Sequence, residues 1–312
     1  MNSRMPGSVI PTMITPFTKE NEIDYDAVEA LVEYYIEKKC TGIFALCQSS
    51  ETFFLTLAEK QALIRFILRC AGNRIAVIAS AHTSDSPLEQ LRELNAMAEA
   101  GVETVVLISN RLARPYENDG LLLKNAERIL KETGNLPLGI YECPYPYKRL
   151  LSPEVLRWCA SSGRFYFLKD TCCDLETIER RCEILSGTNM GLYNANTATL
   201  SGSMRAGAAG YSGIMANYHA DLYVKLMELL QSGDPLAEEL QAFLTAAALI
   251  ERQMYPTNAK YRRTLSGMHM GITCRSQDFS GWNKTFETEV EAVFLLEECW
   301  RKRLGLASDA QK

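Results

Sequence analysis

Short apolar runs alternate along this chain with longer stretches in which apolar residues return every three or four positions. The runs at 9–15, 42–47, 75–81, 104–109, 138–143, 165–170, 190–194 and 211–215 have the length and composition of strands. Segments 25–38, 57–70, 87–100, 120–133 and 153–161 lie between them and carry the helical period. Strand ends recur roughly every 20–35 residues, the length of one βα unit. Eight such units predict an α/β fold, the (β/α)8 TIM barrel. An open doubly wound sheet is the competing architecture. It calls for a Gly-rich turn after the first strand, where Pro11-Thr12-Met13-Ile14-Thr15-Pro16-Phe17 stands instead.

Beyond residue 233 the strand pattern stops, and 236–255 and 287–303 read as helices with a Gly/Ser-containing stretch between them. The expected division is a barrel over 1–232 and a C-terminal helical region over 233–312, with residues 307–312 frayed. Thr56-Leu57-Ala58-Glu59 is a capping-box pattern, which makes Thr56 the N-cap of the second helix.

Bulk properties narrow the function classes. An apolar fraction of 47% and a charged fraction of 23% describe an ordinary globular protein of 312 residues. A net charge of −5 argues against nucleic acid or an anionic membrane as partner. No run of 18 apolar residues occurs, and no basic start precedes an apolar core, so the expected location is cytoplasmic. The ten cysteines are scattered and form no CxxC pair, and the only histidines are His82, His219 and His269. Reduced thiols acting as small buried hydrophobes are expected, with no metal and no cofactor. Vicinal Cys172-Cys173 leaves open a soft-metal or redox alternative.

Lys169 ends the apolar run Phe165-Tyr166-Phe167-Leu168. An amine there either caps a strand at the surface or points into a partly dry pocket. In the second case desolvation lowers its pKa, and the neutral amine can attack a ketone to form a Schiff base. Barrel active sites collect residues from the C-terminal strand ends, which brings Tyr141, one βα repeat earlier, toward the same mouth. Strand alternation then turns Asp170 toward the helices and Thr171 back inward. Ser49-Ser50, in the turn after the second strand, offers hydroxyl and N–H donors to a carboxylate, although loop serines are commonly idle.

At these residues the chain resembles the dihydrodipicolinate synthase / N-acetylneuraminate lyase family of class I aldolases, over roughly residues 8–230. The motifs that carry the likeness are Thr15-Pro16-Phe17 with Glu22-Ile23-Asp24, Gln48-Ser49-Ser50-Glu51 with Leu55 and Glu59, Tyr141-Glu142-Cys143-Pro144, Leu168-Lys169-Asp170-Thr171, and the Gly-rich segment 207–217 that holds Ser212. The resemblance implies an imine between Lys169 and a 2-oxo acid, typically pyruvate, with Tyr141 moving the proton at the aldol oxygen. It also implies carboxylate binding by Ser49 and Ser50 and a homo-oligomer, commonly a tetramer; Thr171, which alternation turns inward, and Ser212 are further candidates for substrate contact. Ser50 stands where the family has glycine, and serine disfavours positive φ.

Two departures bear on the substrate. The aromatic pair that synthase members carry after strand four is replaced by Ser109-Asn110-Arg111-Leu112-Ala113-Arg114-Pro115, and their arginine after the strand-five tyrosine is Pro146. Both argue against lysine-pathway synthesis. Asn194-Ala195-Asn196-Thr197 lacks the acidic pair of sialic acid lyases. The expected activity is reversible cleavage of a 2-keto-3-deoxy sugar acid or a 4-hydroxy-2-oxo acid. An imine-forming dehydratase and a non-catalytic 2-oxo-acid binder are the alternatives. A class II aldolase is disfavoured for want of clustered histidines. His82, at a strand end, is a candidate for a substrate hydroxyl or for a structural role. Arg111 and Arg114 are read as surface or interface residues before substrate contacts, and Tyr145 and Tyr147 as pocket walls or packing. Asn217 is expected to support the last βα turn.

Overall fold

A computed structural model describes residues 7–310. Eight parallel strands run β1 Ser8–Val9, β2 Gly42–Ala45, β3 Ala76–Ala79, β4 Thr104–Ile108, β5 Leu138–Tyr141, β6 Phe165–Asp170, β7 Gly191–Asn194 and β8 Gly210–Tyr211. The helices are α1 Tyr25–Glu37, α2 Leu57–Ala71, α3 Pro87–Ala100, α4 Ser109–Leu112, α5 Asp119–Glu132, α6 Pro153–Ser161, α7 Leu175–Leu185, α8 Leu200–Arg205, α9 Ala216–Ser232, α10 Leu236–Ala247, α11 Thr257–Leu265 and α12 Lys284–Arg303. From β2 to β8 each strand pairs with its neighbour in sequence, and β1 pairs with β8. Thr12 bridges Phe44 on β2, which brings the two edges of the sheet together. The fold is the expected (β/α)8 barrel followed by C-terminal helices.

Closure explains why the first strand is shorter than its apolar run. Pro11 has no N–H to continue the ladder, and the chain changes partner there. Ile10 N–H still reaches Tyr211 O, whereas Pro11 O already accepts from Phe44 N–H at 2.9 Å. The eighth strand is also cut to two residues. Gly210 has to be glycine here, because a Cβ would lie 2.0 Å from Ser8 O.

Inward and outward positions form two cores. Ile10, Phe44, Ile78, Val106, Ile108, Tyr141, Phe167 and Tyr193 fill the barrel, while Leu168, Leu107, Ile140 and Leu192 pack outward under the helices. Phe44 meets Phe167 edge-on at 5.5 Å, and Phe167 meets Tyr193 at 4.7 Å. Each such buried ring stabilises the fold by roughly 1.5–3 kcal/mol. This aromatic layer is the floor beneath Lys169. Helix starts follow local capping: Thr56 and Glu59 cap α2 reciprocally, and Asp24, Ser152 and Asp174 cap α1, α6 and α7.

The C-terminal region departs from its expected outline. The helix expected over 236–255 ends at Ala247 and tightens into a 3-10 turn, Ala248–Arg252, before Pro256 opens α11. Pro256 cannot continue a helix that precedes it. The tail is not frayed as far as Ala310. Asp309 is buried against Arg262 at 3.0 Å, Arg263 at 3.1 Å and Lys38 at 3.1 Å. A carboxylate that compensates three cations in a dry site holds its segment down. Residues 311–312 lie outside the described ones. All ten cysteines are free thiols, and Cys70, Cys172, Cys173 and Cys299 are not buried, contrary to the expectation of small buried hydrophobes. Among the described residues no helix is long and apolar enough to cross a membrane.

Candidate active site

A cavity of about 380 Å³ opens at the C-terminal ends of the strands. Its walls come from the turn after β2, from the ends of β5 to β7, from the segment after β8, and from the C-terminal region through Glu251, Tyr255 and Ser276.

Lys169 lines this cavity and is only 3% exposed. Its Nζ lies 4.4 Å from the ring centre of Tyr141 and 5.9 Å from that of Phe44. Among the described residues no hydrogen bond or ion pair holds the amine. Burial lowers its pKa, against the nearby Cys47, Cys143 and Glu251, which raise it. A buried amine without a counter-ion has its neutral form favoured, the form that can attack a carbonyl.

Tyr141 faces it in exact register on the next strand, as the sequence spacing implies. Its hydroxyl donates to Gln48 Oε1 at 3.5 Å, and Cys143 Sγ donates to the same oxygen at 3.4 Å. Burial pushes the Tyr141 phenol well above its usual value and the Cys143 thiol up to about 11. Both therefore keep their protons near neutral pH.

Behind the strands, Asp170 turns outward as alternation requires and pairs with Arg181 of α7. Arg181 also holds Glu142, at 2.7 Å. The Glu142 carboxylate in turn accepts the Leu151 and Thr171 N–H groups at 2.7 and 3.1 Å. This buried unit ties the ends of β5 and β6 together and so fixes Tyr141 against Lys169.

Thr171 and Ser49 reach the cavity wall. The Thr171 hydroxyl, however, donates to Glu142 O at 2.7 Å, which leaves it a wall rather than a free donor. Ser49 Oγ donates to Thr12 Oγ1 at 3.1 Å. Ser50 is not on the wall. Its Oγ donates to Met13 O at 2.6 Å and accepts from Cys47 N–H at 3.1 Å, and its own N–H goes to Cys47 O. The left-handed residue of the turn is Glu51, φ 58°, so serine at 50 carries no positive φ. The Gln48 and Ser49 N–H groups take no part in the turn's own hydrogen bonds.

His82 and Ser212 are corrected in the same way. His82 is fully buried away from the cavity, with Nδ1 accepting Ile108 N–H at 2.9 Å. Burial lowers its pKa to about 4, which suits a neutral acceptor that fastens β3 to β4. Ser212 is fully buried off the cavity wall, its N–H on Asn194 O, while Ile214 two residues on forms the wall. Arg111 pairs with Asp85 at 2.8 Å and Arg114 donates to Tyr116, both outside the cavity. Tyr145 walls the pocket beside Phe53, whereas Tyr147 donates to Asn110 O. Asn217 supports the last turn through Thr12 O at 2.9 Å and Tyr35 at 2.6 Å.

Three wall residues have no place in the sequence reading of the site: Gln48 as the partner of Tyr141, and Glu251 and Tyr255 from the C-terminal region. Burial pushes the Glu251 carboxyl up to about 7, against the pull of Lys169 and Arg252. Glu51, the other carboxylate on the wall, is spent: it pairs with Lys260 at 2.7 Å and accepts the Arg275 and Ser276 N–H groups.

A strand-end lysine over an aromatic floor, with a tyrosine in register beside it, defines a lysine-centred (β/α)8 barrel. The model of the Dihydrodipicolinate synthetase family matches residues 5–280, and the chain belongs to that family. It is accordingly a lyase of the class I aldolase type, with the Schiff-base, pyruvate-dependent chemistry of that family. It is 26% identical to 4-hydroxy-tetrahydrodipicolinate synthase 1 of Streptomyces coelicolor, over 80% of this chain and 77% of the relative. It is 25% identical to 4-hydroxy-tetrahydrodipicolinate synthase of Acidothermus cellulolyticus, over 83% and 79%. Among solved structures, YagE from E. coli K12, a prophage protein of the dihydrodipicolinic acid synthase family in complex with pyruvate, superposes with a TM-score of 0.85. The match covers 93% of this chain and 98% of that one at 18% identity, which speaks for the fold alone.

Proposed function

We propose that Lys169 forms an imine with the C2 carbonyl of a 2-oxo acid and that the protein reversibly cleaves a 2-keto-3-deoxy sugar acid or a 4-hydroxy-2-oxo acid, releasing pyruvate. The observation that carries this reading is the buried amine of Lys169, without a partner among the described residues and 4.4 Å from the Tyr141 ring in a cavity that both line. Attack by the neutral amine expels water. The protonated imine then draws the C3–C4 bonding pair toward nitrogen, and that bond breaks. Gln48 and Ser49 N–H groups receive the carboxylate, and Tyr141 hydrogen-bonds the oxygen that becomes the aldehyde. We take the enzyme to act in the cytoplasm as a homo-oligomer, which light scattering of the purified chain tests.

A panel of 2-keto-3-deoxy sugar acids and 4-hydroxy-2-oxo acids, assayed for pyruvate by NMR, tests the reaction. Release from at least one member supports it, and loss of a polar group without pyruvate release would mark a dehydratase instead. The relatives' names favour a second reading, 4-hydroxy-tetrahydrodipicolinate synthase. Pro146 and the missing aromatic pair stand against it, and formation of that product by the purified protein would establish it.

A further inference from the structure

Tyr141 leaves a gap in the proton account of the site. Its hydroxyl donates to the side-chain amide of Gln48, and an amide neither takes up nor passes on a proton at ordinary pH. Cys143, the other donor to that amide, is buried and holds its own proton. A net proton acceptor has to come from elsewhere on the cavity wall. Two carboxylates stand there, and Glu51 is committed to Lys260 and two backbone N–H groups. Glu251 has no hydrogen bond or ion pair among the described residues, lines the same cavity as Lys169, and feels the Lys169 charge from across it. The 3-10 turn after α10 is what delivers it.

We propose that Glu251 is the catalytic acid–base of the imine–enamine steps, carrying the proton between the substrate's C4 hydroxyl and C3. The proposal rests on imine formation at Lys169. In the cleavage direction the Glu251 carboxylate takes the hydroxyl proton, and the O–H pair becomes the second bond of the leaving aldehyde. The C3–C4 pair forms the C2=C3 bond, and the iminium π pair moves to the Lys169 nitrogen, giving the enamine. Neutral Glu251 then returns the proton to C3. The nitrogen pair re-forms the iminium, and water releases pyruvate and the amine. The titratable and charged groups around Glu251 are Lys169 and Cys173 from the β6 side, Tyr211, Tyr218 and Tyr223 from β8 and α9, and Arg252 and Tyr255 from its own segment. None of the tyrosines titrates near neutral pH, since burial raises each of them.

Pyruvate alone is a sufficient probe, because enamine formation exchanges its methyl protons with solvent. In D2O, exchange followed by NMR is compared with borohydride trapping of pyruvate on the wild type, Glu251→Gln and Glu251→Asp. The expected result is an undiminished adduct in Glu251→Gln with exchange slower by about 10²-fold or more, no titration of exchange near pH 7, and partial recovery in Glu251→Asp. Exchange in Glu251→Gln within about threefold of wild type, with the same pH profile, would overturn the proposal. A wild type that traps no pyruvate would instead overturn the imine reading, and this one with it.

Discussion

Tyr141 and Lys169 are register partners on adjacent parallel strands, with the amine 4.4 Å from the centre of the phenol ring. The ring and the hydroxyl therefore serve the amine separately: the ring packs against it, and the hydroxyl lies toward the cavity and Gln48. Tyr141→Phe keeps the ring and removes the hydroxyl. Borohydride trapping of pyruvate should stay close to wild type, while pyruvate release from a cleavable 2-oxo acid falls by about 10²-fold or more. Equal losses in both assays would mean that the hydroxyl acts already in imine formation.

The lowered pKa of Lys169 fixes the sign of the pH response. The neutral amine reacts, so the rate of imine formation rises with pH as the ammonium deprotonates. Because burial lowers that pKa, the rise should level off below the ordinary value of 10.5. Stopped-flow or quenched trapping from pH 6 to 10 measures this. A flat profile, or one still rising at pH 10, would contradict a desolvated nucleophile.

Arg181 holds two fully buried carboxylates, Glu142 and Asp170, behind the strands that carry Tyr141 and Lys169. Arg181→Leu leaves both uncompensated. Breaking such a buried unit costs about 3–5 kcal/mol, which urea unfolding should report as a lower midpoint at an unchanged slope. The loss should shrink in acid, where the stranded carboxylates are protonated.

Glu251 should weaken the fold at high pH. Its carboxyl is raised from 4.5 to about 7 in the folded chain. Between these values the unfolded state has already released the proton and the folded state still holds it, so stability falls as pH rises through that window. Glu251→Gln should therefore have a higher Tm than wild type above pH 7 and nearly the same Tm at pH 4.5. A Tm difference that does not vary with pH would show that the carboxyl is not perturbed.

Much of this was legible in the pattern of apolar runs. Lys169, Asp170 and Thr171 point as strand alternation demands, because β6 is a regular strand with both faces buried. Ser50 and His82 misled for a shared reason: polar side chains at strand ends read as binding groups until their backbone partners, Met13 O and Ile108 N–H, are seen. Gln48 and Glu251 were out of reach for different reasons. The role of Gln48 depends on contact with a strand three units away around the barrel. Glu251 lies in a segment whose apolar periodicity runs on as a helix, and the tightening to a 3-10 turn that delivers it to the cavity comes from tertiary packing and Pro256.

The imine at Lys169 carries the whole account. Incubation of the purified protein with pyruvate and borohydride, followed by peptide mass spectrometry, should place a reduced pyruvyl adduct on the peptide containing Lys169, and Lys169→Ala should form none. No adduct in the wild type, or an adduct undiminished in Lys169→Ala, would contradict it.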